Sequence, residues 1–346
     1  MRAVAEVAAG VEAVEPGPLP PAEWWIRSAL AAPGYALARR SDPALAEALR
    51  GPALAAGAAN AVLFDALAGI EAHFAESGLP LVLLKGAAVA GWAYADPALR
   101  PMGDLDLWVR ESDLGRANGC LRDFGFARLP GREVALARGN VRVELHDSPF
   151  RGWWTRFAAT PDLAGTWHRA EPAGPGRHAR RLSPEDAALQ VVVHSVVNAF
   201  SQWPLRSLLD LAAGSRRRKI DWEGVAERAE AWRLRTATWL VLDLADRIFG
   251  VDGAIPALER LRPGAARRAS LASFVRAGSL LQGRVPRGAA RRHAFLLAVV
   301  DRSEDGARLV GRTIWPEPAW LATRYGEGAG RLHHLRALAG REENRR

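Results

Sequence analysis

The pattern of hydrophobic and polar positions divides the chain into two parts that meet near Leu182. Before this residue, short apolar runs and alternating segments predict strands, and segments with helical spacing lie between them. The predicted strands cover residues 81–84, 104–109, 126–129, 134–137 and 141–145. After Leu182 the apolar positions recur at helical spacing only. The pattern therefore predicts an α+β part followed by an all-helical C-terminal part.

Helix start and stop signals set the boundaries around these strands. Ser41-Asp42-Pro43 is typical of a helix start, because Pro is tolerated in the first helical turn. One long alanine-rich helix is predicted from Ala53 to Glu76, and a short one from Ala22 to Ala32. The predicted domains are an N-terminal helical segment (1–52), an α+β domain (53–172) and a helical C-terminal domain (173–346).

Two aspartates alternate with apolar residues in the second predicted strand, whose sequence is DLDLWV. Alternate side chains of a strand point to the same face, so Asp104 and Asp106 are expected to project together. Two neighbouring carboxylates repel each other and are stabilised by a divalent cation. An ordinary solvated strand face is the alternative explanation for such a pair.

A third carboxylate comes from the last predicted strand, VRVELH at residues 141–146. Arg142, Glu144 and His146 share one face of this strand, so Glu144 can complete a three-carboxylate site. Such a site suits Mg²⁺, which prefers oxygen ligands and keeps waters and substrate phosphates in its shell. Two Mg²⁺ ions about 4 Å apart can align a nucleophile and stabilise a leaving pyrophosphate.

Lys85-Gly86 follows the first predicted strand, at the point where the chain turns into a helix. Glycine lets the backbone approach a ligand closely, and the N–H groups that open a helix favour an anion. Lys85 and Lys219 are the two lysines of the chain, and all its other strongly basic residues are arginines. A compact ammonium beside Gly86 therefore indicates a specific use, with a simple turn as the alternative.

The order of these motifs resembles a known family. Lys85-Gly86, Arg100 and Asp104-Leu105-Asp106 follow one another as KG–x13–R–x3–DxD, and VRVELH comes after them. This order is similar to nucleotidyltransferases of the DNA polymerase β-type superfamily, in particular the bacterial branch described as uncharacterised nucleotidyltransferases. The later segments SPEDAALQVVVH and LRSLLDLA resemble the helical part of that family.

The resemblance covers about residues 79–221 and implies a nucleotidyltransferase-fold mixed sheet with flanking helices. In the wider superfamily the first motif is a Gly-Ser or Gly-Gly pair, whereas this chain has Gly86-Ala87. The difference removes a hydroxyl donor from the phosphate loop, so the resemblance leaves the mode of triphosphate binding open.

The resemblance also implies roles for the acidic residues. Asp104 and Asp106 would bind the metal ions, and Glu144 would be the third carboxylate, acting either as the base or only as a ligand. His146, on the same face as Glu144, would orient it. The implied cofactor is Mg²⁺, as two ions, with Mn²⁺ as a substitute.

A second group of residues would form the nucleotide-binding side. Lys85 and Gly86 would hold the triphosphate of ATP or another NTP. Arg100 would either contact a phosphate or brace the loop before the acid pair, and both roles remain open. His194 lies on an apolar helix face, where a hydrogen-bonded core histidine is the usual explanation and a site role is the alternative.

Positive charge is concentrated in the last quarter of the chain. The net charge is +9, and residues 255–346 carry 18 Lys+Arg and 8 Asp+Glu, whereas the remainder carries 29 and 30. This basic part could hold a polyanion such as RNA, and a solvated arginine-rich helical surface is the alternative. Arg206 and Asp210 stand four positions apart on a predicted helix, which is typical of a helical ion pair.

The remaining composition indicates a soluble protein. Cys120 is the single cysteine, which excludes an intramolecular disulfide and fits a reducing cytoplasm. No run of about 18 apolar residues occurs, so a membrane span is not expected. Glu6, Glu12 and Glu15 interrupt the N-terminal segment, which argues against a signal peptide.

These observations predict a Mg²⁺-dependent enzyme that transfers a nucleoside monophosphate from NTP to an acceptor hydroxyl and releases pyrophosphate. The acceptor (a small molecule, a peptide or protein, or tRNA) and the oligomeric state stay open. The alternative is a non-catalytic nucleotide- or partner-binding module with the same fold. The complete set of Asp104, Asp106 and Glu144 argues against that alternative.

Overall fold

The computed structural model describes residues 1–130 and 134–338, and it confirms an α+β fold with a helical C-terminal part. The strands are β1 (Val82–Leu84), β2 (Leu105–Trp108), β3 (Ala127–Arg128), β4 (Ala135–Arg138), β5 (Val141–His146), β6 (Glu171–Pro172) and β7 (Arg180–Arg181). The first eight helices are α1 (Arg2–Ala9), α2 (Ala22–Arg27), α3 (Ala31–Ser41), α4 (Pro43–Glu76), α5 (Lys85–Ala93), α6 (Leu114–Asp123), α7 (Trp153–Ala158) and α8 (Leu163–Arg169).

After β7 the described residues form helices alone. They are α9 (Pro184–Val197), α10 (Pro204–Arg217), α11 (Trp222–Ala231), α12 (Arg235–Phe249), α13 (Ile255–Leu261), α14 (Ala265–Phe274), α15 (Ala277–Leu281), α16 (Ala289–Ala298), α17 (Ser303–Ile314), α18 (Pro318–Tyr325) and α19 (Arg331–Leu338).

The strands form one mixed sheet in the order β3-β4-β5-β2-β1-β7-β6. Strand β2 lies at its centre, antiparallel to β1 and parallel to β5, with Asp106 opposite Glu144. Strand β7 pairs in parallel with β1. The β6–β7 hairpin lies across the predicted domain boundary at residue 172, so the chain returns to the sheet before the helical part begins. The predicted turn at Pro130-Gly131 falls partly outside the described residues.

Helix α4 starts earlier than the sequence predicted. Asp42 Oδ1 accepts a hydrogen bond from the Leu45 backbone N at 3.0 Å, and Pro43 occupies the first turn, which confirms the predicted helix start. The helix then continues through Pro52 to Glu76. The prediction of a start at residue 53 was wrong because proline is usually excluded from a helix interior. Here α4 packs along α3 and continues through Pro52 without the backbone hydrogen bond that proline removes.

The predicted helix from Ala22 to Ala32 is divided into α2 and α3. Ala29 adopts a left-handed conformation with φ 55°, and Leu30 N donates to the Trp25 carbonyl at 2.9 Å. This turn separates α2 from α3, and Trp25 of α2 is completely buried. Burial of a large indole therefore outweighs the cost of one left-handed residue.

Within the described residues, α4 is the one helix whose length and apolar composition would suffice to cross a membrane. Such a helix is weak evidence for a membrane span, since core helices of soluble proteins can have the same length and apolar composition. Leu63, Leu67, Ile70 and Phe74 of α4 are buried in the core on one face of the sheet.

The central strands are covered on both faces. Leu105 and Leu107 of β2 pack with α4 and α6, whereas Trp108 belongs to the core that the helical C-terminal part shares. A solvated strand face was the alternative explanation for the acid pair, but every residue of β2 is buried. Asp106 shares its face with Trp108, so the acidic residue lies between the sheet and the helical part.

Candidate functional site

Three potential metal-binding side chains meet on the helical side of the sheet. The parallel register of β2 and β5 sets Asp106 opposite Glu144 and Trp108 opposite His146. The ligand atoms of Asp106, Glu144 and His146 all lie within 4.8 Å of one another. Asp106 is 5% exposed, and Glu144 is half-buried. The site is therefore built by two adjacent strands at the sheet centre.

Asp106 is the most strongly held of these groups. Its Oδ1 lies 2.6 Å from Lys85 Nζ and 2.7 Å from His146 Nε2. Burial raises the pKa of Asp106, but the hydrogen bond of His146 and the charge of Lys85 outweigh it and bring the pKa to about 2. Asp106 is thus a carboxylate at neutral pH. The sequence predicted that His146 orients Glu144; its Nε2 is 3.9 Å from Glu144 Oε2 and closer to Asp106 Oδ1, with which it forms a hydrogen bond.

Asp104 does not share a strand with Asp106. Strand β2 begins at Leu105, so Asp104 lies in the loop just before it and is half-buried. Its pKa is raised, first by burial and then by the negative charges of Asp106 and Glu144. The three carboxylates are therefore close enough to repel one another, although His146, not Asp104, completes the tightest cluster.

Lys85 is placed by an unusual backbone conformation. Its φ is 44°, a left-handed value at the first residue of α5, and such strain persists only where neighbours fix it. Its backbone N donates to Gln190 Oε1 of α9 at 3.0 Å, and Gln190 Nε2 donates to the Pro149 carbonyl at 3.2 Å. The helical part thus holds the turn that carries the ammonium to Asp106.

Gly86 has a packing reason to be glycine. A Cβ at this position would lie 2.8 Å from Arg100 Nη1 and 3.0 Å from Met102 Cγ and Sδ. The residue is buried, and the loop before β2 packs directly against it. The close approach that the sequence predicted for a ligand is here made by the protein itself.

Arg100 braces the loop before the acid pair. Its Nε and Nη2 donate to Asp210 Oδ1 and Oδ2 of α10 at 3.2 and 2.8 Å, and Tyr94 Oη donates to Asp210 Oδ1 at 2.8 Å. Burial alone would lower the pKa of Arg100, but Asp210 raises it above its usual value. The ion pair expected between Arg206 and Asp210 is thus replaced by one with Arg100. Arg206 Nη1 donates instead to the Pro101 carbonyl at 3.0 Å.

His194 lies half-buried on α9 and lines a cleft that Asp106 and Glu144 also line. Its Nδ1 is 3.4 Å from Asn198 Nδ2. Its pKa is lowered from 6.5 to about 4, first by burial and then by the positive charge of Lys85. The imidazole is therefore neutral at physiological pH.

This burial predicts a pH dependence of stability. Between pH 6.5 and 4 the unfolded chain has bound the His194 proton and the folded chain has not, so the free energy of unfolding falls as the pH drops. We expect His194→Gln to remove this part of the decrease, which amounts to up to about 3 kcal/mol. Urea unfolding at several pH values measures it. His168→Gln, at an exposed position of α8, should keep the wild-type slope; an unchanged slope in His194→Gln would contradict the prediction.

A cleft of about 1310 Å³ opens over the acidic cluster. Sequence reasoning did not assign site roles to several of its lining residues, namely Gln190, Trp203, Arg206 and Asp210. The available signal in the sequence was that Gln190, Arg206 and Asp210 interrupt apolar stretches in the two helical segments that resemble the family. Their partners could not be known without the fold, because Gln190 bonds to Lys85, 105 positions away in the chain.

The donor set fits a hard divalent cation. Carboxylate oxygens of Asp106 and Glu144 are the ligands that Mg²⁺ and Mn²⁺ prefer, with Asp104 beside them. The mutual repulsion of these carboxylates, which raises the pKa of Asp104, is what a cation would relieve. His146 already holds Asp106 and suits the role of an orienting partner to a ligand.

The mixed sheet, with acidic side chains on its central strands and a helical part after it, agrees with the fold that the resemblance implies. Residues 28–250, more than half of the chain, match the family described as uncharacterised nucleotidyltransferase. The chain belongs to this family. No curated protein and no solved structure matches it.

Proposed function

We propose that the protein is a Mg²⁺-dependent nucleotidyltransferase that moves a nucleoside monophosphate from NTP to an acceptor hydroxyl. The observation that carries the proposal is the cluster of Asp106, Glu144 and His146 beneath a cleft large enough for a nucleotide. Membership of a nucleotidyltransferase family supports the same reaction. The acceptor stays open among a small molecule, a peptide or protein, and RNA.

In the proposed reaction the acceptor oxygen bonds to the α-phosphorus of NTP. The bond from this phosphorus to the oxygen bridging to the β-phosphate breaks, and pyrophosphate leaves. The acceptor proton passes to a base, for which the half-buried Glu144 carboxylate and solvent are the candidates. No oxidant or further reactant is needed.

The residues of the chain supply binding and charge. Asp106, Glu144 and Asp104 would hold Mg²⁺, which when bound neutralises phosphate charge and favours the departure of pyrophosphate. His146 keeps Asp106 in position. The Lys85 side chain is 28% exposed and lines the cleft, which supports its proposed role in phosphate binding. Arg100 maintains the loop that carries Asp104, through its pair with Asp210.

The basic C-terminal part supports RNA as one acceptor to test. Five arginines line a second cavity of about 540 Å³: Arg233 and Arg235 precede the basic part, and Arg262, Arg267 and Arg302 belong to it. Several of them are engaged by the protein, since Arg233 pairs with Asp305 and Arg302 with Glu304. Part of the positive charge of this surface is therefore neutralised by ion pairs within the protein.

A label-transfer assay tests the function. Each α-³²P-labelled NTP is incubated with the protein, Mg²⁺ or Mn²⁺, and either cellular RNA, protein extract or small-molecule extract. We expect label to move into one of these fractions and to require the divalent cation. Nucleotide binding without any transfer would support a non-catalytic binding module instead. The absence of both binding and transfer would overturn the proposal.

A further inference from the structure

Trp203 stands in the cleft with much of its indole uncovered. It is 50% exposed, and among the tryptophans of the described residues only Trp315, at 56%, is comparably exposed. Trp203 lines the same cleft as Asp106 and Glu144. A large aromatic surface in a substrate cleft has a hydrophobic cost unless a ligand covers it.

The loop that carries Trp203 is held in a strained conformation. Between α9 and α10, Ala199, Phe200 and Trp203 have φ values of 46°, 59° and 40°. Left-handed conformations of non-glycine residues cost of order 1 kcal/mol each and cluster at ligand-binding sites. Pro204, the first residue of α10, follows directly, and because proline favours an extended conformation of the preceding residue, it adds to the strain at Trp203. The indole is therefore presented from a strained backbone.

Arg206 supports the indole from one side. Its guanidinium carbon lies 4.7 Å from the Trp203 ring centroid, which is cation–π distance. Its Nη1 donates to the Pro101 carbonyl, in the loop that leads to Asp104, and its Nε is buried without a hydrogen-bond partner among the described residues. Burial and the charge of Arg100 lower the pKa of Arg206 to about 10, so an anion beside it would be favoured.

We propose that Trp203, backed by Arg206, is the platform on which the base of the donor NTP stacks. The inference rests on the proposed function and adds the base-binding part of its site. The platform and the acidic cluster line one cleft and are joined through the loop at Pro101. Stacking accepts any base, because every base has a π-face, so the platform predicts binding of more than one NTP.

Calorimetric titration with two ligands separates the base from the phosphates. The ligands are a non-hydrolysable ATP analogue and inorganic tripolyphosphate, each with Mg²⁺ and the full-length protein. We expect Trp203→Ala to weaken binding of the ATP analogue about tenfold and to leave tripolyphosphate binding unchanged. Trp203→Phe retains an aromatic face and should recover most of the affinity. Trp315→Ala is the matched control, since Trp315 is also exposed and lies 4.6 Å from an arginine, Arg331.

The outcomes distinguish the platform from the function on which it rests. Wild-type protein that binds neither ligand overturns the proposed function, and the platform with it. Wild-type binding of both ligands, with Trp203→Ala weakening neither or weakening both equally, overturns the platform alone. If Trp203→Ala keeps its affinity for the ATP analogue but has a raised KM for the acceptor, the indole binds the acceptor. This outcome also rejects the donor base as its ligand.

Discussion

Asp106→Asn should reduce nucleotidyl transfer by about 10³-fold, because one neutral amide replaces the most buried carboxylate of the site. The amide oxygen can still accept hydrogen bonds from Lys85 and His146, so the local fold is preserved. What is lost is the negative charge, which no remaining ligand replaces. The loss should appear mainly in kcat, with a higher Mg²⁺ concentration needed for half-maximal rate.

Initial-rate measurements over a range of Mg²⁺ concentrations test this expectation once an acceptor is in hand. Asp65→Asn, at an exposed position of α4, is the control and should keep the wild-type rate. Circular dichroism establishes that both variants are folded. Transfer by Asp106→Asn within about tenfold of the wild-type rate would remove Asp106 from the catalytic centre.

Arg100→Met should lower the free energy of unfolding by about 3–5 kcal/mol, since it leaves the Asp210 carboxylate buried with its countercharge removed. The two side chains are 7% and 3% exposed, and the Arg100 Nη2 to Asp210 Oδ2 distance is 2.8 Å. Tyr94 continues to donate one hydrogen bond to Asp210 but carries no charge. Methionine keeps the length of the side chain, so most of the effect is electrostatic.

A double-mutant cycle isolates this pair. Asp210→Leu alone leaves Arg100 buried beside Arg206, whereas the double variant removes both members of the pair and should recover part of the loss. Arg247→Met is the control, because Arg247 pairs with Asp243 on a helix surface at 64% exposure and should cost at most about 1 kcal/mol. Urea unfolding measures all four variants. Additive effects of the two single substitutions would show that the pair is not coupled.

Much of the sheet and its acidic cluster followed from local patterns. Alternation in VRVELH predicted that Glu144 and His146 share one face of a strand. The pairing of β5 with β2 places that face beside Asp106. The ends of β2 could not be predicted, since strand ends depend on pairing partners. Asp104 was therefore expected in the strand, whereas it lies in the loop before it. Alternation also could not reveal that helices cover both faces of β2, because that depends on the packing of the whole chain.

Long-range polar partners were the least predictable features. The four-residue spacing of Arg206 and Asp210 favoured a local pair, yet burial of Tyr94, Arg100 and Asp210 together made the long-range pair the one that forms. Similarly, Gly86 indicated a ligand approach, whereas Arg100 and Met102 occupy the space beside it. Local spacing identifies which residues are polar, and tertiary packing decides which of them meet.

The contacts of Lys85 and Arg100 with α9 and α10 have a consequence for biosynthesis. The turn at Lys85 depends on Gln190, and the loop before Asp104 depends on Asp210. A nascent chain that has emerged only as far as β5 already contains every acidic residue of the cluster, but it lacks both supports. We therefore expect the growing polypeptide to remain inactive until α10 has left the ribosome, after the last acidic residue of the cluster has already emerged.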